Sequence, residues 1–240
     1  AWVDQEYKRK QLKGFTPVIT APSVWMKNCS EKSRLFGNFR HLTIPNSVDP
    51  ELFKLLDKVF CRTLLNWPVD KKILLFVSEE IDNPRKGFGL LSDALLKINN
   101  PEVLTYVIGI SGIPDKTVPG VFYQGRIVDE RLMAAAYSAA DAVVIPSRED
   151  NLPNIMLESL ACGTPVIAFP VGGMPDVIVD GFNGLLAKEV TSKSMAESID
   201  DFFSNIEQFS KSAISEKAVE TFSPEVQSLA YLSLYQEILN

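Results

Sequence analysis

Short apolar runs alternate with helical patterns through most of this chain. Residues 72–78 form an apolar run of strand length, and the segment 86–98 after it gathers its apolar residues on one helical face. The alternation continues with predicted strands at 103–109, 121–124, 142–145 and 165–169 and with predicted helices at 129–140 and 153–161. These strands are apolar without alternation, which is typical of a parallel sheet that helices cover on both faces. The pattern therefore predicts an α/β fold with a Rossmann-like, doubly wound parallel sheet.

Strand and helix patterns also flank this predicted sheet. Before it, residues 16–20 and 41–44 have strand patterns, and a helix is predicted from about Ser23. The strand at 16–20 has no evident partner within the first forty residues, so this piece is interpreted as the end of an earlier domain. After the sheet, Ser223 and Pro224 form a helix-start signal. The pattern there predicts a short strand near 184–187 and C-terminal helices near 192–204, 206–219 and 224–239.

The composition is that of a globular protein. Of the 240 residues, 46% are hydrophobic and 22% are charged, which excludes disordered and low-complexity classes. The three cysteines, Cys29, Cys61 and Cys162, are too scattered for a disulfide framework or a zinc site, so a reducing, cytosolic compartment is expected. No apolar run reaches the roughly 20 residues of a membrane span, and the N-terminus lacks a signal-peptide pattern. We expect a soluble or at most peripheral protein.

Charge is unevenly distributed along the chain. Residues 1–60 contain ten basic and six acidic side chains, whereas the remainder contains fourteen basic and twenty-four acidic ones. An acidic body repels nucleic acid, so no nucleic-acid partner is expected. The basic run Lys8, Arg9, Lys10 with Lys13 leaves peripheral contact with anionic lipid open, although a solvated helix face is favoured.

Ligands of an open parallel sheet bind outside the carboxyl ends of its strands. The corresponding turns in this sequence are rich in glycine, proline, asparagine and charged residues. They cover residues 78–86, 109–112, 125–126, 146–154 and 170–173. Binding residues are therefore expected in these turns.

The most informative turn leads into the predicted helix 153–161. Pro153 suits the first turn of a helix, so the N–H groups of Asn154 and Ile155 and the positive end of the helix dipole face the strand ends. This predicts an anion site. Asp150 lies just ahead of the helix, and Glu158 lies roughly 8 Å further along its axis than Pro153. Two such carboxylates can hold different parts of one ligand, although an exposed helix charge is the alternative for Glu158.

A second turn carries two adjacent cations. Arg85 and Lys86 stand where the predicted helix 86–98 begins. Cations at a helix N-terminus oppose the helix dipole, and a bound anion reverses that cost. The pair therefore predicts a phosphate clamp, with a plain solvated pair as the alternative.

Five ordered segments of this sequence resemble the donor half of family-four retaining glycosyltransferases. They are Ile44-Pro-Asn-Ser-Val-Asp49, Pro84-Arg-Lys-Gly-Phe88, Gly125-Arg-Ile-Val-Asp-Glu130, Ala140-Asp-Ala-Val-Val-Ile-Pro-Ser147 and residues 150–165. The resemblance covers about residues 16–204 and implies a GT-B architecture, in which two Rossmann-like domains face each other across a cleft. It implies that 1–44 is the remnant of an N-terminal acceptor domain and its connection, that 45–222 is the donor-binding domain, and that 223–240 is a helix crossing back towards the first domain.

The resemblance also implies roles for the candidate site residues. The family has two carboxylates separated by seven residues, and these correspond to Asp150 and Glu158. Glu158 would accept hydrogen bonds from ribose hydroxyls, and Asp150, with the backbone at Asn151, Leu152, Pro153 and Asn154, would hold the donor sugar. The first position is usually Glu, so neighbouring Glu149 is an alternative to the shorter Asp150.

The same likeness assigns the remaining donor contacts. Lys86 matches the diphosphate-binding lysine and is counted with Asp150 and Glu158 among the catalytic residues. The arginine that usually follows the preceding strand has no counterpart here, and Arg85 is its candidate replacement. Backbone groups of Gly125, Arg126 and Ile127 would meet the nucleotide base.

The implied function is transfer of a sugar from a nucleotide-sugar donor, such as a UDP-sugar, to an acceptor with retention of anomeric configuration. Arg85 and Lys86 would stabilise the leaving diphosphate in the transition state, so no metal or other cofactor is expected. A saccharide or lipid-linked acceptor would bind through the missing N-terminal domain, so the chain alone is expected to be inactive. The expected setting is polysaccharide biosynthesis in the cytoplasm, with peripheral contact at the inner membrane left open.

Two alternatives to a retaining hexosyltransferase stay open at this point. One is an isolated nucleotide-sugar-binding module without catalysis. The other is a nucleotide-sugar 2-epimerase-like GT-B enzyme, against which the spacing of Asp150 and Glu158 argues. The sequence leaves the nucleotide, the sugar and the acceptor undetermined.

Overall fold

The computed structural model describes residues 2–98, 100–109 and 118–239 of the chain. Its strands are β1 (Val18–Ala21), β2 (Arg40–Thr43), β3 (Lys72–Val77), β4 (Val103–Ile108), β5 (Val121–Gly125), β6 (Ala142–Ile145), β7 (Val166–Ala168) and β8 (Gly184–Leu186). Its α-helices are α1 (Trp2–Gln11), α2 (Val24–Glu31), α3 (Lys58–Leu64), α4 (Phe88–Ile98), α5 (Glu130–Ala139), α6 (Asn154–Ala161), α7 (Met174–Val177), α8 (Ser192–Ser204), α9 (Lys211–Phe222) and α10 (Pro224–Leu239). Short 3₁₀ turns cover Pro84–Lys86 and Ile206–Gln208.

The main sheet has six parallel strands in the order β5-β4-β3-β6-β7-β8. The strand order reverses between the central strands β3 and β6, which is the mark of a doubly wound fold. Every residue of β6 and β7 is buried, because helices cover both faces of the sheet. The predicted α/β fold with a doubly wound parallel sheet is confirmed.

The first two strands form a small sheet of their own. β1 and β2 pair in parallel, with Val18 opposite Arg40, and α2 makes the crossover between them. The strand predicted at 16–20 is therefore not a lone strand, because it pairs with β2, which overlaps the strand predicted at 41–44. A parallel pair needs a crossover of this length, which places the partner far along the sequence.

Some predicted helix limits were wrong. The helix predicted at 206–219 is instead a 3₁₀ turn, Ile206–Gln208, followed by α9. Phe209 is buried between them in an extended conformation, and the Ser210 side chain accepts a hydrogen bond from the N–H of Ala213 as the N-cap of α9. Helices α1, α3 and α7 were not predicted.

The amino end of the main sheet is held by a buried ion pair. The Arg62 guanidinium donates to Asp141 Oδ2 at 2.9 Å and to backbone carbonyls, including that of Ala139. The Asp141 carboxylate also accepts from Lys58 and from the N–H of Ile73. Because both buried charges are fully hydrogen-bonded, the pair is tolerated in the core.

The C-terminal helix α10 returns to the small sheet. The Arg40 guanidinium on β2 donates to both carboxylate oxygens of Glu237 near the end of α10. Near the start of α10, Gln227 donates to the carbonyl of Pro45 and accepts from the Ser47 hydroxyl. The domain limits predicted at 44/45 and 222/223 stay predictions.

Two sequence expectations concern membranes. Within residues 2–98, 100–109 and 118–239, none of the helices combines the length and apolar character that a bilayer crossing requires. In the basic run, Lys8, Lys10 and Lys13 are exposed on or just after α1, and the Arg9 side chain lies outside the described residues. Peripheral lipid contact stays a prediction.

Candidate functional site

Loops from three strands of the main sheet meet at its carboxyl edge. The loop after β6 donates a hydrogen bond to the turn after β3, from the Arg148 N–H to the carbonyl of Arg85 at 2.8 Å. On its other side, the N–H of Gly173, after β7, donates to the carbonyl of Asn151 at 2.6 Å. These contacts bring together three of the turns in which the sequence predicts binding residues. Of the predicted turn 109–112, only Gly109 lies within the described residues.

Two glycines make this close loop packing possible. At Gly87, which ends the 3₁₀ turn with φ of +75°, an added Cβ would lie 1.8 Å from the carbonyl oxygen of Pro146. At Gly172, an added Cβ would lie 1.5 Å from the carbonyl oxygen of Asp150. Both positions also have positive φ, so only glycine fits them without strain. The helix predicted from residue 86 therefore begins only at Phe88.

Lys86 and Asp150 form an ion pair at this junction. Lys86 Nζ lies 2.7 Å from Asp150 Oδ2, and both side chains are partly buried. Asp150 Oδ2 also accepts from the Ser147 hydroxyl at 3.4 Å, and Oδ1 accepts from the Asn151 N–H at 3.0 Å. The sequence predicts both residues as separate ligand contacts, and the structure brings them into direct contact.

The neighbouring candidates Arg85 and Glu149 are exposed. The N–H of Arg85 donates to the Asn83 side chain, which caps the 3₁₀ turn. Arg85 therefore has a fixed backbone and a side chain that faces solvent beside Lys86. Asp150, unlike Glu149, is partly buried and paired, so it is the carboxylate that the loop holds in place.

Helix α6 begins at this same junction. Pro153 is its N-cap, so the helix begins at Asn154, one residue later than predicted. Leu152 and Pro153 are buried, whereas Asn154 is exposed. No side chain among the described residues caps the helix, so its first N–H groups are available to an anion. The Asn154 side chain instead accepts from Asn46 at 3.0 Å.

Glu158, one turn into α6, is partly buried and contacts a tyrosine. The Tyr137 hydroxyl on α5 donates to Glu158 Oε2 at 2.7 Å. Burial raises the pKa of the Glu158 carboxyl, the Tyr137 hydrogen bond lowers it and the charge of Glu130 raises it, with a net increase. The alternative of an exposed helix charge is therefore wrong for Glu158. The sequence analysis did not identify Tyr137. The available signal was that it is the one large polar side chain in an alanine-rich stretch of helix α5.

Gly125, Arg126 and Ile127 lie at the edge of the sheet. Gly125 is the last residue of β5, the outermost strand, and Arg126 and Ile127 follow it. Gly125 and Arg126 are exposed, whereas Ile127 packs partly against the core. The carbonyl of Gly125 accepts from the N–H of Gly109. In the sheet order they are separated from the loop after β6 by strands β4 and β3.

The start of helix α2, in the N-terminal segment, also contacts the site. The Ser23 hydroxyl, at the N-cap of α2, donates to Asn151 Oδ1 at 2.5 Å. The Asp176 carboxylate on α7 accepts from the N–H of Val24 at 2.7 Å. The residue next to Asp150 is therefore fixed partly by the N-terminal segment, a contact that the sequence did not predict.

A family match identifies the protein family. Residues 71–205 match the family described as glycosyl transferases group 1. The chain belongs to the group 1 glycosyl transferases. The match covers the stretch from β3 to the end of α8, and so includes Lys86, Asp150 and Glu158 of this glycosyl transferase chain.

Relatives and solved structures agree with this assignment. D-inositol 3-phosphate glycosyltransferase 2 of Catenulispora acidiphila is 31% identical over 67% of this chain, and the aligned part spans only 42% of that relative. Sucrose-phosphate synthase of Thermosynechococcus elongatus aligns with all of this chain and 62% of its own, at 22% identity and a TM-score of 0.82. HepE of Anabaena, in complex with UDP and glucose, aligns with 98% of this chain and 67% of its own, at 19% identity and a TM-score of 0.75.

These findings confirm the predicted GT-B fold and glycosyltransferase family of this chain, and retention of anomeric configuration stays a prediction. The chain is a C-terminal GT-B glycosyltransferase domain with a Rossmann-like sheet. The aligned part covers less than half of the length of each of several curated relatives, including the one from Catenulispora acidiphila. The chain's complete reaction and its acceptor are therefore matters of proposal.

Proposed function

We propose that this chain is the donor-binding half of a hexosyltransferase that moves a sugar from a nucleotide-sugar donor to an acceptor with retention of anomeric configuration. The observation that carries the proposal is the convergence of Lys86, Asp150 and the uncapped N-terminus of α6 at one junction of the sheet edge. A cation, a carboxylate and free backbone N–H groups are the donors and acceptors that a sugar diphosphate needs.

Lys86, Arg85 and the start of α6 are proposed to bind the diphosphate. Negative charge grows on the leaving diphosphate as the glycosidic bond breaks, so these groups stabilise the transition state more than the ground state. The uncapped N–H groups of α6 support this role because they are preorganised and fixed by the buried residues Leu152 and Pro153. The proposed stabilisation needs no metal ion or further cofactor.

The two carboxylates are proposed to face the other parts of the donor. Glu158 accepts from the ribose hydroxyls, and Asp150 accepts from the donor sugar beside the N–H groups of Asn151, Leu152 and Asn154. Gly125, Arg126 and Ile127 are proposed to meet the base through their backbone. The Lys86–Asp150 pair, at 2.7 Å, supports a site in which the sugar and the diphosphate are bound next to each other.

The nucleotide is proposed to be UDP. HepE, whose fold this chain shares, was solved with UDP and with UDP-glucose, which makes uridine nucleotides the first probes. The acceptor, a saccharide or a lipid-linked saccharide, is proposed to bind to a further domain, since the chain spans less than half of its curated relative. Cytoplasmic polysaccharide biosynthesis is the proposed setting.

Calorimetric titration of the chain with UDP, GDP and UDP-glucose tests the proposal. We expect UDP and UDP-glucose to bind, and Lys86→Ala and Glu158→Ala each to weaken UDP binding about 10-fold, as loss of a charge-assisted hydrogen bond does. Lys193→Ala, an exposed lysine on α8, is the matched control and should leave binding unchanged. Binding of GDP without binding of UDP would show that the base is guanine and not uracil. Binding of none of the three nucleotides would contradict a donor site.

Catalysis is tested separately from binding. We expect the chain by itself to bind UDP-glucose without transferring glucose, because the acceptor site is proposed to lie elsewhere. Release of UDP from UDP-glucose in the presence of saccharide acceptors is the measurement. Transfer by the chain alone would show that it holds both halves of the site. A longer protein that also binds UDP-glucose without transfer would instead favour a binding module.

A further inference from the structure

We propose that Tyr137 is a positioning residue for the donor, whose hydroxyl fixes the Glu158 carboxylate so that its second oxygen faces the ribose. This inference rests on the proposed function, in which Glu158 accepts hydrogen bonds from the ribose hydroxyls. It adds a residue on a different helix, α5, that does not itself touch the ligand.

The tyrosine has little freedom to move. Its side chain is fully buried, and its ring lies 6.1 Å from that of Phe53, between centroids. Its backbone carbonyl accepts a hydrogen bond from the Thr164 hydroxyl at 2.7 Å, just beyond the end of α6. The hydroxyl therefore stands at a fixed place beside α6, where a flexible residue would leave the carboxylate free to rotate.

The geometry divides the two oxygens of Glu158 between protein and ligand. Oε2 accepts from Tyr137 at 2.7 Å. A carboxylate has further acceptor sites on its other oxygen, and Glu158 is only partly buried. Oε1 is thus the atom that can accept from a ribose hydroxyl. Holding a binding group by a buried partner lowers the conformational entropy that is lost when the ligand binds.

The hydrogen bond from Tyr137 also favours the ionised form of the Glu158 carboxyl, against the effect of its surroundings. Burial and the charge of Glu130, on α5, raise the pKa of the Glu158 carboxyl, whereas the Tyr137 donor lowers it. Cys162, on the same side of α6, has its own pKa raised to about 12 by burial and therefore stays neutral near Glu158. Removing the Tyr137 hydroxyl leaves burial and Glu130 unopposed, so the protonated carboxyl becomes more favourable.

The test compares UDP with 2′,3′-dideoxy-UDP, which lacks the hydroxyls that Glu158 would bind. We expect Tyr137→Phe to weaken UDP binding about 5-fold and to leave dideoxy-UDP binding unchanged. Tyr106→Phe is the matched control, since Tyr106 is also buried and stacks on Trp67 within the sheet core. It should change neither affinity.

The outcomes separate the inference from the proposed function. Equal weakening of both nucleotides by Tyr137→Phe means a structural role only and overturns the inference, as does unchanged UDP binding. A wild-type chain that binds no uridine nucleotide overturns the proposed function and this inference together. If Tyr137→Phe fails to fold, NMR of the wild-type chain tests instead whether the Tyr137 hydroxyl is held in its hydrogen bond. The Tyr137 hydroxyl proton should exchange slowly with water in the free chain, and rapid exchange overturns the inference.

Discussion

The ammonium of Lys86 lies 2.7 Å from the carboxylate of Asp150, a residue 64 positions later in the chain. The pair joins the 3₁₀ turn after β3 to the loop after β6. β3 and β6 are the two central strands, between which the strand order reverses. A group proposed to bind the diphosphate and a group proposed to bind the sugar are therefore paired with each other. A bound donor must compete with Asp150 for Lys86.

Asp150→Asn tests this competition. Removing the carboxylate frees the Lys86 ammonium, so we expect UDP to bind about 3-fold more tightly, within the range of a partly exposed ion pair. UDP-glucose should gain less than UDP, because its sugar loses an acceptor. Calorimetry with both ligands measures the difference, and Asp200→Asn, on the exposed side of α8, is the control. Weaker UDP binding would mean that Asp150 serves mainly to hold Lys86.

Glu158→Gln tests what the partly buried carboxylate of Glu158 costs in stability. The pKa of Glu158 is raised, so the folded state binds more protons than the unfolded state between the unfolded and folded pKa values. Stability is therefore lost as pH rises through this window. We expect the variant to be about 1 kcal/mol more stable than wild type near pH 7, with a smaller difference below about pH 4.3, the ordinary Glu pKa. Urea unfolding at the two pH values measures this, and a less stable variant near pH 7 would contradict it.

Asp141→Ala tests the buried ion pair at the amino end of the sheet. The substitution leaves the Arg62 guanidinium, which is 1% exposed, without its counter-ion. We expect a loss of about 3–5 kcal/mol in the free energy of unfolding. Asp200→Ala, at an exposed position, should stay within about 0.5 kcal/mol of wild type. Chemical denaturation measures both, and a loss for Asp141→Ala as small as the control would show that the pair is dispensable.

Gly87→Ala tests the contact between the two loops. The added Cβ would lie 1.8 Å from the Pro146 carbonyl oxygen at a position with φ of +75°, so the turn that carries Lys86 must shift. We expect a loss of at least about 1–3 kcal/mol in stability and weaker UDP binding. Gly89→Ala is the matched control, because its Cβ meets nothing within 4 Å. Alanine there, in helix α4, should stabilise the chain by about 0.5–1 kcal/mol. Unchanged UDP binding in Gly87→Ala would mean that Lys86 does not depend on this junction.

The sequence by itself determined the main sheet, most of the helices that cover it and the edge at which the candidate residues lie. Apolar runs without alternation are typical of strands that are covered on both faces, so their alternation with helical patterns along the chain predicts a doubly wound sheet. Ser223 and Pro224 likewise predicted the start of α10, because these residue types act through the local backbone. Such signals depend only on neighbouring residues in the sequence, so they can be read without knowledge of the fold.

Only the tertiary structure decided which side chains pair. Lys86 with Asp150, Tyr137 with Glu158 and Ser23 with Asn151 each join residues from separate elements. Hydrogen bonds of this kind depend on positions fixed to within a few tenths of an ångström, and packing of the whole sheet sets those positions. Residue type and spacing carry no such information. The sequence therefore predicted which groups gather at the sheet edge, and the fold determined how they hold one another there.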